Sequence, residues 1–239
     1  MLLGDFTVLS FDCYGTLIDW ESGIWTALQP LLGKRAGAIA RDDALAAFGR
    51  HESAQQAETP GLLYSELLAR VHRRLAAEWN IATTPELDQA FGSSVGEWPA
   101  FPDTAAALAY LGRFFQLVIL SNVDRASFAR SKPRLGVDFT AVYTAEEIGS
   151  YKPDPKNFHY LIERLAMLGN APADILHVAQ SLYHDHLPAN NFGLASAWID
   201  RRQGKGGGAT PPTAAEVQYD FRFTSLAELV AAYQAEQRD

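Results

Sequence analysis

The stretch FDCYGTLID, residues 11–19, decides the fold of this chain. The apolar run VLSF, residues 8–11, leads into it and gives way to a carboxylate, Asp12, with Gly15 and Thr16 close behind. Open α/β sheets place their active sites at the carboxyl ends of parallel strands. The pattern therefore indicates either an ordinary turn aspartate or a nucleophile at the end of a buried strand, and the rest of the chain has to separate the two.

Further short runs are apolar almost throughout, which is typical of strands covered on both faces. Together with the run that leads to Asp12, the predicted strands lie at 6–11, 115–121, 139–144, 174–180 and 194–200. Helical periodicity separates them at 101–115, 154–168 and 182–193, and the tail SLAELVAAYQAEQ reads as a closing helix. Strand alternating with helix predicts an α/β fold, a Rossmann-like parallel sheet with right-handed crossovers.

The segment from about 18 to 98 differs, because it carries long helical periodicities and no convincing strand. We expect it to form a helical cap domain, residues 18–98, inserted into a core domain made of residues 1–17 and 99–239. The natural place for such a cap is over the carboxyl ends of the strands. The Gly- and Pro-rich segment 201–213 is predicted to be a mobile loop.

Composition narrows the class of partner. A net charge of -8 argues against a nucleic-acid partner, because the phosphate backbone is bound by clusters of Lys and Arg. The single cysteine, Cys13, fits a reducing compartment. With no basic n-region and no long apolar span, we expect a cytoplasmic protein with no membrane contact. A small anionic or zwitterionic carboxylic acid is the predicted partner, and a homodimer is left open.

Four predicted strand ends carry polar side chains. Asp12 follows the first, Ser121 and Asn122 follow VIL, Lys152 lies in GSYKPDP, and Asp185 lies in AQSLYHDH. Each alone has an ordinary explanation as a cap or a turn. In a parallel sheet these ends face one crevice, so the order nucleophile, hydroxyl, lysine, acid points to a reaction site.

These motifs resemble those of the haloacid dehalogenase superfamily, whose members open with Asp-x-x-x-Thr and continue with a Ser or Thr, a Lys and an acidic motif. The resemblance implies that Asp12 is the nucleophile and Thr16 its motif I partner. It also implies that Ser121 is the motif II hydroxyl, Lys152 the motif III lysine, and Asp185 the second acid of motif IV.

Phosphatases of the superfamily carry a second Asp two residues after the nucleophile, where this chain has Tyr14. The first acid of motif IV is replaced by Gln180. Since Mg²⁺ prefers carboxylate oxygens and water, we expect no metal and no other cofactor. A Mg²⁺-dependent phosphatase and a non-catalytic binding protein of the same fold are the alternatives.

FDCYGTLID resembles the metal-independent 2-haloacid dehalogenase branch. The resemblance implies that Asp12 attacks C2 of a small 2-substituted acid and that water then hydrolyses the ester. Lys152 would lower the pKa of Asp12. Ser121 and Asn122 would bind the substrate carboxylate, and Asp185 would orient the water.

Segments including FGRHESAQQAETPG and LYHDHLPAN resemble hydrolases that open the four-membered ring of L-azetidine-2-carboxylate. The resemblance favours a ring-nitrogen leaving group, with (S)-2-haloacid dehalogenation as the alternative. His184 is a candidate proton donor to that nitrogen, and a cap arginine, Arg50 or Arg41, is a candidate anion ligand. The predicted substrate-binding residues are Tyr14, Trp20, Arg50, Gln55, Ser181 and His184.

Overall fold

A computed structural model describes residues 1–33, 37, 39–204, 208–210 and 216–238. Among them, six strands form one parallel sheet in the order β3-β2-β1-β4-β5-β6. The strands are β1 Val8–Phe11, β2 Gln116–Ser121, β3 Ala141–Thr144, β4 Ile175–Ala179, β5 Ala195–Ile199 and β6 Phe221–Phe223. The predicted α/β fold and its five strands are confirmed; the short edge strand β6 was not predicted.

β1 lies inside the sheet, hydrogen-bonded to β2 on one side and to β4 on the other. Its last residue, Phe11, pairs with Ile119 of β2 and Val178 of β4. All four β1 residues are buried, which explains why the run contains no exposed polar position. The chain therefore leaves the middle of the sheet at Asp12, where the carboxyl ends of β2 and β4 lie on either side.

Five α-helices separate β1 from β2, and five more follow β2 among the described residues. The first five are α1 Trp20–Leu32, α2 Arg41–Glu58, α3 Tyr64–Glu78, α4 Pro85–Ser93 and α5 Thr104–Leu111. The others are α6 Arg125–Ser131, α7 Ala145–Ile148, α8 Pro155–Met167, α9 Leu187–Asn191 and α10 Leu226–Glu236. The helix predicted at 182–193 is divided, because a π-helical turn, Leu182–His186, precedes α9.

No strand occurs among the described residues between Trp20 and Glu97, in agreement with the predicted helical segment. The division into two domains at residues 18 and 99 remains a prediction. A hydrogen bond joins the helical segment to the loop after β2. The backbone N–H of Ser65 in α3 donates to Oδ2 of Asp124 over 2.9 Å. Close packing holds α1 in place, since a Cβ on Gly23 would lie 2.2 Å from the Trp98 ring.

Part of the predicted mobile loop packs against the helical segment. Ala209 is 1% exposed, and its N–H donates to Oε1 of Glu21 over 3.0 Å. A Cβ on Gly49 of α2 would lie 2.1 Å from the carbonyl oxygen of Ala209. Residues 205–207 and 211–213 of the loop lie outside the described residues. Among the helices that are described, none combines the length and the apolar character needed to cross a bilayer.

Candidate active site

The Asp12 carboxylate lies directly after β1 and is held by one hydrogen bond on each oxygen. The Thr16 hydroxyl donates to Oδ2 over 2.7 Å, and Lys152 Nζ donates to Oδ1 over 3.0 Å. Thr16 is in turn fixed by the backbone N–H of Gln180, which donates to its Oγ1 over 2.9 Å. The turn needs glycine, because Gly15 has φ +105 and a Cβ there would lie 3.1 Å from the Trp20 indole nitrogen. The sequence motif thus folds into a rigid cradle for one carboxylate.

The Lys152 ammonium lies between two carboxylates at the bottom of the site. It donates to Asp185 Oδ1 over 2.5 Å, to Asp12 Oδ1 over 3.0 Å and to the Leu120 carbonyl over 2.9 Å. Its three hydrogens are therefore all used. Lys152 is 2% exposed, so this is a buried ion triad rather than a surface pair.

The side chain of Asn122 holds the backbone of Lys152 on both sides. Its Nδ2 donates to the Lys152 carbonyl over 3.0 Å, and its Oδ1 accepts from the Lys152 N–H over 2.7 Å. The amide predicted to bind the substrate carboxylate is thus engaged in positioning the lysine. Ser121 differs, because its buried Oγ has no hydrogen-bond partner among the described residues and the side chain lines the pocket. A buried hydroxyl in that state is suited to a polar ligand group.

His177 is a site residue that the sequence analysis missed. Its Nε2 lies 3.0 Å from Asp185 Oδ1, and its Nδ1 lies 2.7 Å from Ser10 Oγ. Since an ionised carboxylate only accepts, Nε2–H donates to Asp185, and Ser10 Oγ is the hydrogen-bond partner of Nδ1. A histidine in the middle of the otherwise apolar strand β4 was the available signal, because a buried imidazole needs partners.

The two carboxylates of the triad are shifted in opposite directions. Burial raises the pKa of Asp12 above its ordinary range, and Lys152 and Thr16 offset only part of that effect. Burial also acts to raise the pKa of Asp185, but Lys152 and His177 outweigh it and hold that pKa well below its usual range. Lys152 does lower the pKa of Asp12, as predicted, but the effect of burial is larger, so the net shift is upward. The ammonium lies closer to Asp185, while burial dominates at Asp12.

This shift gives the pH profile of any reaction in which Asp12 attacks. The nucleophile must be ionised, so kcat/KM should fall as the pH is lowered through its pKa, with a midpoint above the value of about 3.9 for an ordinary aspartate. A Thr16→Val variant, which loses a donor to the ionised form, should move that midpoint to still higher pH. Initial rates across the acid range test this. A midpoint at or below the ordinary value, or one that Thr16→Val leaves in place, would contradict the assignment.

A pocket with an empty volume of about 440 Å³ opens onto Asp12. Its floor comes from the strand ends and includes Asp12, Ser121, Asn122, Lys152 and Asp185. Its other walls include Tyr14, Trp20, Val123, Gln180, Ser181, His184 and Thr210. The structure thus brings together all six predicted catalytic side chains and four of the predicted substrate-binding residues. Of the catalytic six, Thr16 does not line the pocket itself but is hydrogen-bonded to Asp12.

The helical segment closes the pocket with Glu52 and Gln56 of α2 and Tyr64 of α3, of which Glu52 and Tyr64 were not predicted. Glu52 is 3% exposed and accepts a 2.6 Å hydrogen bond from the Tyr64 hydroxyl. Burial raises the pKa of Glu52 to about 7, against an opposing effect of the Tyr64 hydrogen bond. A signal was present in the sequence, since Leu45, Phe48, Glu52 and Gln56 follow one another at helical spacings of three and four.

Two predicted substrate-binding residues lie elsewhere. Arg50 has a side chain that is 62% exposed and paired with Glu78 over 3.0 Å, so it does not line the pocket. Gln55 is buried, but its Nε2 donates to Thr59 Oγ1 over 3.0 Å on another side of α2. Arg41, the second arginine considered, donates to Ser22 Oγ over 3.1 Å and is also outside the pocket. Residues two apart on a helix differ by about 200° in direction, so Arg50 and Glu52 face opposite ways.

Comparison with known proteins agrees with this geometry. A family model for haloacid dehalogenase-like hydrolases matches residues 6–191. The chain belongs to this family. It is 24% identical over 227 residues to (S)-2-haloacid dehalogenase 4A of Burkholderia cepacia, covering 92% of this chain and 91% of that protein. The membership makes this protein a hydrolase built on the family fold.

Solved structures of the same fold match almost the whole hydrolase. One is L-2-haloacid dehalogenase from Xanthobacter autotrophicus with chloropropionic acid covalently bound, with TM-score 0.77, 18% identity, and 96% and 98% of the two chains covered. Another is the putative hydrolase YfnB of Bacillus subtilis bound to magnesium, with TM-score 0.74, 17% identity, and 96% and 99% covered. At these identities the likeness establishes the fold.

The second of these structures contains magnesium, and the donor set of this hydrolase decides whether a divalent cation fits its site. The Lys152 ammonium already lies between Asp12 and Asp185, and it supplies positive charge where both carboxylates point. Gln180 offers a neutral amide, whose Oε1 accepts from Thr210 over 3.0 Å. Among the described residues, no group of three or more His, Cys, Asp or Glu is arranged to hold a metal ion. The site of this family member therefore does not fit Mg²⁺.

Tyr14, Ser181 and His184 line the pocket with their polar groups engaged. Ser181 Oγ accepts from the His184 N–H over 2.9 Å and lies 3.2 Å from His184 Nδ1. Burial lowers the pKa of His184 to about 4, so its imidazole is neutral near pH 7 and is a poor proton donor. The Tyr14 hydroxyl lies 2.8 Å from Ser131 Oγ, so it already has a hydrogen-bond partner in the protein.

Proposed function

We propose that this hydrolase cleaves the bond between C2 and its substituent in a small 2-substituted carboxylic acid, without a metal ion. The observation that carries the proposal is the Asp12 carboxylate, which is held by Thr16 and Lys152 and exposed only toward the pocket. Because this carboxylate lines the pocket, a ligand bound there would lie within its reach. Positioning of this kind contributes much of the rate in covalent catalysis.

The reaction takes two steps. In the first, an Asp12 oxygen forms a bond to C2 while the bond from C2 to the leaving atom breaks, and the leaving atom keeps the electron pair. In the second, water adds to the carbonyl carbon of the resulting ester and the 2-hydroxy acid departs. Asp185 has a lowered pKa, which keeps it ionised, and it shares the Lys152 ammonium with Asp12. It is therefore suited to orient that water.

Binding of the substrate carboxylate falls to the floor of the pocket. The Ser121 hydroxyl is free to donate to it there. Such a contact would place C2 of a small acid next to Asp12. The roles of Tyr14, Trp20 and Ser181 as walls around the substituent remain part of the proposal.

For the leaving group, we favour the ring nitrogen of L-azetidine-2-carboxylate over a halide. The charged groups of the described pocket lining are three carboxyl groups, Asp12, Glu52 and Asp185, and the ammonium of Lys152. That ammonium is already bonded to Asp12 and Asp185. A departing halide would therefore meet no free positive group. The (S)-2-haloacid alternative is supported by the name of the Burkholderia cepacia relative.

The test compares two substrates in the presence of excess EDTA. We expect a 2-hydroxy-4-aminobutyrate product from L-azetidine-2-carboxylate, detected by mass spectrometry, at a rate that EDTA leaves unchanged. Chloride release from L-2-chloropropionate alone would replace ring opening by dehalogenation. No turnover of either acid, together with hydrolysis of a phosphate ester restored by Mg²⁺, would overturn the proposal and favour a phosphatase.

A further inference from the structure

Glu52 is a buried acid without a cationic partner. It is 3% exposed, and among the described residues its carboxyl group accepts one hydrogen bond, from the Tyr64 hydroxyl, and takes part in no ion pair. Burying an ionised carboxylate without a counter-charge is costly. The side chain is nevertheless held in a defined position facing the pocket that contains Asp12.

The position of Glu52 complements that of the nucleophile. Asp12 reaches the pocket from the end of β1, whereas Glu52 reaches it from α2 in the helical segment. A displacement at carbon requires the leaving group to depart on the side away from the attacking oxygen. Because Asp12 attacks from the sheet side of the pocket, the leaving group departs toward the helical side, where Glu52 lies.

We propose that Glu52, held by Tyr64, binds the ring nitrogen of the substrate and supplies or retains the proton with which that nitrogen leaves. This inference rests on the proposed ring-opening function and assigns its leaving-group site. A neutral ring nitrogen would have to leave as an amide anion, which is a very poor leaving group, so one proton must be on it when the bond breaks.

The balance of the step is as follows. An Asp12 oxygen forms a bond to C2, the C2–N bond breaks, and nitrogen keeps the bonding pair and both of its hydrogens, leaving as a primary amine. The proton starts either on the ring nitrogen, with Glu52 as the ionised acceptor, or on Glu52, which then donates it. The total proton count is the same in both cases, and no further reactant is needed.

The surroundings of Glu52 suit this role better than those of His184. A carboxyl group whose pKa is about 7 can hold or give a proton near neutral pH, whereas the buried imidazole, with a pKa of about 4, is almost entirely neutral there. The other titratable groups of the pocket or next to its tyrosines are Asp12, Cys13, Tyr14, Tyr64, Asp124, Arg130, Tyr151, Lys152, His184 and Asp185. Of the two cations among them, Lys152 is bonded to the two aspartates and Arg130 donates to the Ser93 carbonyl.

The test is a Glu52→Gln variant, which keeps the shape of the side chain and removes its charge and acidity. We expect kcat/KM for L-azetidine-2-carboxylate to fall by about 10²-fold or more, and any chloride release from L-2-chloropropionate to stay the same or rise. Tyr64→Phe, which keeps Glu52 but loses its donor, should lower ring opening by about tenfold. The matched control is Glu66→Gln, an exposed acid on α3, which should change neither rate.

Equal losses on both substrates, or no loss on the ring acid, would overturn the inference, with circular dichroism confirming that each variant folds. If the unsubstituted protein does not open the ring, the proposed function itself fails. Calorimetric binding of L-azetidine-2-carboxylate to Asp12→Asn protein then decides the inference separately. Weaker binding when Glu52→Gln is added supports the nitrogen site, and unchanged binding rejects it.

Discussion

An Asp12→Asn variant is expected to lose turnover by at least about 10⁴-fold, because a neutral amide oxygen cannot act as the attacking group. The fold should survive the change. The Lys152 ammonium keeps its 2.5 Å bond to Asp185, and the Thr16 hydroxyl can still donate to the amide oxygen. The measurement is the steady-state rate on L-azetidine-2-carboxylate and L-2-chloropropionate, with thermal unfolding as the check on structure.

Isotope labelling separates attack by Asp12 from direct attack by water. Repeated turnover of the unsubstituted protein in H₂¹⁸O should place ¹⁸O in the Asp12 peptide, because the ester is hydrolysed at the enzyme carbonyl. Asp138→Asn is a matched control, since that side chain is 94% exposed and paired with Lys132 at the surface. Retained activity in Asp12→Asn, or ¹⁸O found in the first-turnover product and absent from the Asp12 peptide, would rule out the covalent route.

A Lys152→Met variant should combine the loss of activity with the largest loss of stability. Removing the ammonium leaves Asp12 and Asp185, 7% and 1% exposed, without the cation between them. Breaking a buried ion pair by removing one partner costs roughly 3–5 kcal/mol in the free energy of unfolding. Urea unfolding at neutral pH measures this loss directly.

The pH dependence of that loss has a definite sign. Without Lys152 the pKa of each buried carboxyl rises in the folded state above its unfolded value, so the folded protein binds extra protons as the pH falls. The deficit should therefore be largest near neutral pH and shrink toward acid pH. Lys132→Met removes an exposed partner, 42% exposed, and should cost about 1 kcal/mol or less. Equal losses in the two lysine variants, or a deficit that grows toward acid pH, would contradict the buried triad.

The strands and the polar side chains on the pocket floor could be predicted from the sequence for a local reason. Each inner strand of a parallel sheet is covered on both faces, so it appears as a continuous apolar run, and a polar residue after that run marks the strand end. This pattern indicated Asp12, Ser121, Asn122, Lys152 and Asp185. The structure places all five in one pocket at the carboxyl end of the sheet. The edge strand β6 escaped because three residues, Phe-Arg-Phe, form no apolar run.

The helical wall of the pocket could not be read in the same way. Polar residues Glu52, Gln55 and Gln56 are buried on α2, so the usual contrast between an apolar face and a polar face is absent from this helix. The choice of Arg50 followed residue type, and its direction depends on how α2 packs. His177 was likewise hidden, because its partners Ser10 and Asp185 come from other parts of the chain.

The amino-acid sequence by itself determined the sheet and the order of the motifs, since these depend on short-range patterns of burial, whereas the role of Asp12 as nucleophile remains a proposal. The tertiary structure alone decided which oxygen each donor reaches, that burial outweighs Lys152 at Asp12, and that Glu52 faces the pocket while Arg50 faces solvent. Those outcomes depend on distances and desolvation between residues far apart in the chain, and such quantities exist only once the helices are packed against the sheet.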